Sequence, residues 1–180
     1  MLSAAKDSRV SPEADPRLPQ TAAIALGSNL SSHFGTPADN LHEAVRRLGD
    51  LGQVTAVSTF RKTAPVGFTD QPDFTNAAVL LKTEFSPFDL LHALLAMEQA
   101  MGRDRSAAVP AKGPRTIDLD LLFYGSLVLS HRDLTLPHPA LHERRFVLEP
   151  LAEIAPNWLH PVLRQSTHEL LAACLRPDAA

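Results

Sequence analysis

At 180 residues, 44% hydrophobic and 21% charged, the chain has the make-up of one globular domain that buries about two-thirds of its unfolded surface. Its formal charge of −3 argues against bulk electrostatic binding of DNA or RNA, and no apolar run approaches the roughly 18–20 residues that span a bilayer. The single cysteine, Cys174, excludes an internal disulfide and fits a reducing cytoplasm.

Residues 1–20 mix Pro, Ala, Ser and charge without the apolar core of a signal peptide, and read as a disordered tail before one folded domain over 21–180. Thr21 to Leu26 (TAAIAL) reads as a short buried strand, and Gly27-Ser28-Asn29 supplies turn chemistry. Asp39 is a candidate cap for a helix with Leu41, Ala44, Val45 and Leu48 on one face. Val54 to Phe60 reads as a second strand, KTAPVGFTDQPDF as an irregular loop, and Asn76 to Thr83 as a third strand. Ser86 as cap, Pro87 at the first helical position and Gly102 beyond the end frame a helix, with Leu91, Leu94, Leu95 and Met101 as its core stripe. Residues 103–115 read as a loop, and Thr116 to Tyr124 (TIDLDLLFY) as a strand that turns at Gly125-Ser126 towards a short partner at Leu127–Leu129. After a corner rich in Pro and His, Ser166 and Glu169 have capping-box spacing at the head of a last helix ending near Leu175. Strands and helices intermixed with hairpin signals indicate an α+β or mixed-sheet sandwich.

Asp118 and Asp120 carry the most chemistry. Two residues apart in a strand, their α-carbons lie about 6.6 Å apart on one face, with Ile117, Leu119, Leu121 and Phe123 on the other. Two carboxylates that close raise at least one pKa unless a cation sits between them, and oxygen donors of this kind suit Mg²⁺ bridging to phosphate. The competing reading is two acids on a solvated face. Arg103, Arg105, Lys112 and Arg115 precede the pair, as a polyphosphate with bound metal requires. Glu98, beside the apolar stripe of its helix, either snorkels at the core edge or reaches into a site next to this basic loop. There is no G-x-x-x-x-G-K-[ST], G-x-G-x-x-G or G-x-S-x-G motif, which excludes P-loop and Rossmann nucleotide binding and a serine nucleophile elbow.

Phe74 and Asn76 share a strand face, and a ring beside a carboxamide suits a flat, hydrogen-bonding heterocycle; Phe146 offers a second ring, with burial in the core as the alternative. His138 and His142 have the spacing of a zinc pair, but Pro137 and Pro139 place His138 in a turn, so a donor near phosphate or metal is the better reading.

Together ALGSNL, TAPVGFTDQPDFTNAAV, GPRTIDLDLLFYG and LTLPHPALHERRFVLEPLAEIAP resemble the 6-hydroxymethyl-7,8-dihydropterin pyrophosphokinase family of folate biosynthesis, in order from about Ala22 to about Pro161. The resemblance implies a ferredoxin-like α-β-α sandwich around a mostly antiparallel sheet. It also implies transfer of pyrophosphate from ATP to the pterin hydroxymethyl, releasing AMP. By motif, Asp118 and Asp120 would hold two Mg²⁺ ions, and Arg103 and Arg115 would bind phosphate and stabilise transition-state charge. Gly27, Thr63, Ala64, Val66, Phe74, Asn76 and Phe146 would surround the pterin. Glu98, Arg105, Lys112, Leu121, Thr135, His138 and Arg144 would join Arg103 and Arg115 around ATP. The resemblance implies a cytoplasmic protein acting on these two small molecules, with no nucleic acid or membrane partner; a monomer is the default because no extra apolar helix face is evident. Phe74 stands where Tyr is frequent, Lys112 where some members have an aromatic, and Ala111 where a basic residue is common; these departures bear on ATP affinity and loop closure. The alternatives are a Mg²⁺-dependent phosphohydrolase and a non-catalytic ferredoxin-like binding module.

Overall fold

The computed structural model describes residues 19–105 and 113–175. The strand β1 (Gln20–Ser28) lies at the centre of an antiparallel sheet. It pairs on one side with β4 (Phe74–Thr83) and on the other with β5 (Asp118–Tyr124). The other edge of β4 takes β2 (Gln53–Val57) and, further along, β3 (Arg61–Thr63). The strand expected over 54–60 thus ends at Val57, and a second short strand starts at Arg61. Lys62 and Thr63, expected in the irregular loop, belong to the second, because Arg61–Thr63 finds Phe74–Asn76 to pair with.

Both sheet faces are covered, which is why β1 reads as a continuous apolar run rather than an alternating one. On one face Ala22, Ile24 and Leu26 of β1 and Ala77, Val79 and Leu81 of β4 pack with the helices α1 (Pro37–Leu48) and α2 (Pro87–Ala100). On the other, Ala23 and Ala78 pack with α3 (Arg145–Ile154) and α4 (Thr167–Cys174). The result is the three-layer, ferredoxin-like α+β sandwich.

Local chemistry explains the helix starts. Thr36, not Asp39, caps α1; Asp39 sits three residues on and completes a capping box by accepting the Thr36 amide. Ser86 caps α2 with Pro87 at its first position, and Ser166 and Glu169 form the expected box at α4. The buried face of α2 is Leu90, Leu94, Met97 and Glu98, with Met101 just beyond; Leu95 is 38% exposed. Apolar residues surround this helix, so spacing alone picks no unique face.

Three further corrections concern the second half. β5 is paired with β1 as Ile24 with Leu121 but Ala23 with Phe123, so Leu122 is a bulge. Beyond it Phe123 joins the α3/α4 side, stacked on Trp158 at 5.4 Å, instead of sharing a face with Ile117, Leu119 and Leu121. The expected partner at 127–129 does not pair with β5: β6 (Leu129–Ser130) pairs with β7 (Thr135–Leu136) in a separate hairpin. Finally, α3 is a helix where no helix was expected. Pro150 removes one of its hydrogen bonds, and burial of Val147, Leu148, Pro150 and Leu151 offsets that loss.

Candidate active site

The ends of β1, β3, β4 and β5 meet the start of α3 around a cavity of about 300 Å³. Register explains the convergence. Gly27 is paired with Asn76 on one side and Asp118 on the other, and Ala25 with Asp120. Thr63 is paired with Phe74. Side chains two apart on a strand share a face, so Phe74, Asn76, Asp118 and Asp120 all rise on the α3 side, beyond the point where α3 covers the sheet. Gly27 is the floor between them. A Cβ there would lie 3.1 Å from Asn76 Oδ1 and 3.9 Å from both Asp118 Cβ and the Phe74 ring, so only glycine leaves this space open.

Every residue that sequence reasoning put around a heterocycle lines this cavity: Gly27, Thr63, Ala64, Val66, Phe74, Asn76 and Phe146. Asn76 Nδ2 donates to Thr63 Oγ1 at 2.6 Å, which fixes the amide with its oxygen towards the glycine side. Arg115, Asp118, Asp120 and Arg144 line the same cavity. Two lining residues, Glu143 and Arg145, were missed; they flank Arg144 in the HERRF run, where only their position at the head of α3 brings them to the site.

Asp118 is held from both sides. Arg103 donates to its Oδ1, and Arg115 Nη1 donates to Oδ2 at 2.8 Å. The Arg115 guanidinium also lies 5.7 Å from the centre of the Phe74 ring. Asp120 has a looser partner, Arg144 at 3.7 Å. Burial first, and the Asp118 charge second, push its carboxyl above the usual range. A cation between the two carboxylates would relieve both effects, and hard oxygen donors on one face suit Mg²⁺. The residues present thus fit that ion, although among the described residues no three His, Cys, Asp or Glu side chains gather into a ready-made metal cage. The remaining ligands would have to come from phosphate and water.

Other expected residues stand outside the cavity wall. Glu98 is 1% exposed and fully occupied: it accepts from Arg103 at 2.6 Å, from the Leu119 amide at 2.7 Å, and from Arg105. Burial raises its carboxyl, with those donors opposing. It thus neither snorkels nor reaches into the cavity. It fastens Arg103 and Arg105 to the outer edge of β5. Leu121 is buried in the core below α1 and α2, so its side chain is not available to a ligand in the cavity. Thr135 is exposed on β7. His138 is half-buried, with its amide donating to Leu122 O at 2.9 Å, and burial holds its imidazole below the usual range. Lys112 lies outside the described residues.

The sequence model of the 7,8-dihydro-6-hydroxymethylpterin-pyrophosphokinase (HPPK) family matches residues 23–156. The chain belongs to this family. The 2-amino-4-hydroxy-6-hydroxymethyldihydropteridine pyrophosphokinase of Haemophilus influenzae is 43% identical over 143 residues, covering 78% of this chain and 85% of its own length. The protein of that name from Synechocystis is 42% identical over 154 residues, 84% of this chain and 75% of that one. In three dimensions the fold matches a Plasmodium falciparum HPPK-DHPS structure with pteroate at a TM-score of 0.65 and 16% identity, over 86% of this chain and 42% of that larger one. The HPPK family match spans β1 to the end of α3, and so includes all the elements that line the cavity.

Proposed function

We propose that this protein transfers a pyrophosphoryl group from ATP to the hydroxymethyl group of 6-hydroxymethyl-7,8-dihydropterin, giving the pterin diphosphate and AMP in folate biosynthesis. The observation that carries this reading is that one cavity joins a heterocycle wall (Phe74, Asn76, Phe146) to an acidic pair and two arginines (Asp118, Asp120, Arg115, Arg144). Names borne by relatives at 42–43% identity over most of both chains support the same reaction.

In this reading Phe74 and Phe146 flank the pterin faces, and Asn76 hydrogen-bonds its edge together with backbone groups at Thr63, Ala64 and Val66. The substrate hydroxyl then stands beside Asp118 and Asp120, aimed in line at the β-phosphorus. Asp118 and Asp120 would hold Mg²⁺, two ions in this reading, and the bound metal would supply charge neutralisation around the reacting oxygens. Arg115 and Arg103 stay oriented by Asp118, so positive charge is already in place when negative charge shifts towards the leaving AMP. Arg144 and His138 contact the phosphates from the α3 side, and Arg105, Thr135 and Lys112 complete the nucleotide contacts.

We take a monomer as the working unit. Among the described residues no helix is long and apolar enough to cross a membrane, and we take the reaction to be cytoplasmic. The test is incubation with ATP, Mg²⁺ and the pterin, with products resolved by mass. AMP and pterin diphosphate in equal amounts are expected, and their loss in Asp118→Ala/Asp120→Ala. Free phosphate without a pterin diphosphate would replace this reading with a phosphohydrolase.

A further inference from the structure

Asn29, just past the end of β1, is a residue that the reaction does not use; Gly27 and Ser28 before it, expected in a turn, belong to the strand. Asn29 is 3% exposed, lines no part of the cavity, and spends its whole carboxamide on two segments distant in sequence. Its Oδ1 accepts from the Arg115 amide at 2.8 Å, while its own amide donates to the Arg115 carbonyl at 3.1 Å. Arg115 is thereby gripped by both backbone groups, as a neighbouring strand would grip it. Asn29 Nδ2 faces the other way and donates to Gln71 Oε1 at 3.0 Å and to the Pro72 carbonyl at 2.9 Å. Gln71 in turn donates to the Phe68 carbonyl at 2.6 Å. This fastens the end of the loop whose start carries Ala64 and Val66 of the cavity wall.

We infer that Asn29 is a positioning residue with two separable duties in the proposed transfer: its Oδ1 sets Arg115 for catalysis, and its Nδ2 holds the 64–73 loop against the heterocycle. The first duty rests on the proposed transfer, the second on the pterin site of that reading alone. Chemistry makes the duties separable because a carboxamide is acceptor at one end and donor at the other. Asn29→Asp keeps an oxygen for the Arg115 amide and loses both donors to the loop. Asn29→Ala loses both ends.

The test is steady-state kinetics of the full chain together with direct titration of the pterin, followed by its fluorescence. For Asn29→Asp the expected result is a pterin Kd and KM raised about fivefold or more, with kcat at saturation within about twofold of the wild type. For Asn29→Ala, kcat falls by a further factor of about ten or more, as for a lost orienting contact. Gln71→Ala, at the loop surface, should raise the pterin Kd in the same direction and leave kcat alone, and it decides the loop half if the Asn29 variants do not fold. Parallel losses of kcat and KM in Asn29→Asp and Asn29→Ala would overturn the separation. An unchanged pterin Kd in both Asn29→Asp and Gln71→Ala would overturn the loop duty. A wild type that binds pterin but forms no AMP would sink the transfer reading alone, because the titrations still read the loop duty.

Discussion

Replacing Glu98 by Ala removes one carboxylate from three donors at once. The Leu119 amide, buried at the edge of β5, loses its acceptor, which costs about 1–3 kcal/mol. Arg103 loses one of its two carboxylates but keeps Asp118, so only part of the 3–5 kcal/mol typical of a broken buried pair applies. Arg105 is more than half exposed and contributes little. Against these losses, the burial that raises the Glu98 carboxyl no longer has to be overcome. The net destabilisation is about 3 kcal/mol, which at about 2–4 °C per kcal/mol for a chain of this size lowers Tm by about 6–12 °C. Glu98→Gln retains an oxygen for the Leu119 amide and should lose roughly half as much. Thermal melts and urea unfolding at neutral pH measure both. A Glu98→Ala variant within about 2 °C of the wild type, or a Gln variant as unstable as the Ala one, would refute the argument that this acceptor seals the strand edge.

Gly27→Ala should raise the pterin KM about tenfold, roughly 1.4 kcal/mol, with little change in Tm, since its Cβ meets the Asn76 oxygen at 3.1 Å on the cavity floor; parallel kinetics and melts check this. Asp120→Asn should lower kcat by about 10²–10³, yet leave Tm unchanged or higher, because it removes a half-buried charge repelled by Asp118. Glu153 of α3 accepts from the Thr59 amide and hydroxyl and from Arg61, and these donors, Thr59 foremost, hold its carboxyl below the ordinary 4.5. A depressed carboxylate contributes stability above its unfolded pKa and loses it as pH falls through the folded one. Glu153→Gln should therefore cost about 0.5–1 kcal/mol at pH 7, reduced by solvent screening, and the difference from the wild type should close as melts are run below pH 4.5.

Local spacing placed two pairs of cavity residues, whereas Gly27, Thr63, Ala64 and Val66 came only from the family resemblance. Asp118 and Asp120 share a face because strand side chains alternate, and Phe74 and Asn76 do so for the same reason. Caps were legible too: Ser86-Pro87 and the Ser166/Glu169 box depend on a few neighbouring residues. Four motifs in order then made the family recognisable from Ala22 onward.

What tertiary structure decided is everything set by contacts between distant segments. The bulge at Leu122 moves Phe123 to the other core, and no local pattern announces it, because both sheet faces are apolar. α3 forms around Pro150 because the sheet supplies a surface to bury it on. Glu98 is a buried clamp because the outer edge of β5 lies next to it, and Asn29 joins two loops because β1 ends between them. Alternation along a strand is a property of the backbone, so sequence determines it. Register and the choice of a helix face depend on which partner arrives, so only the folded chain determines them.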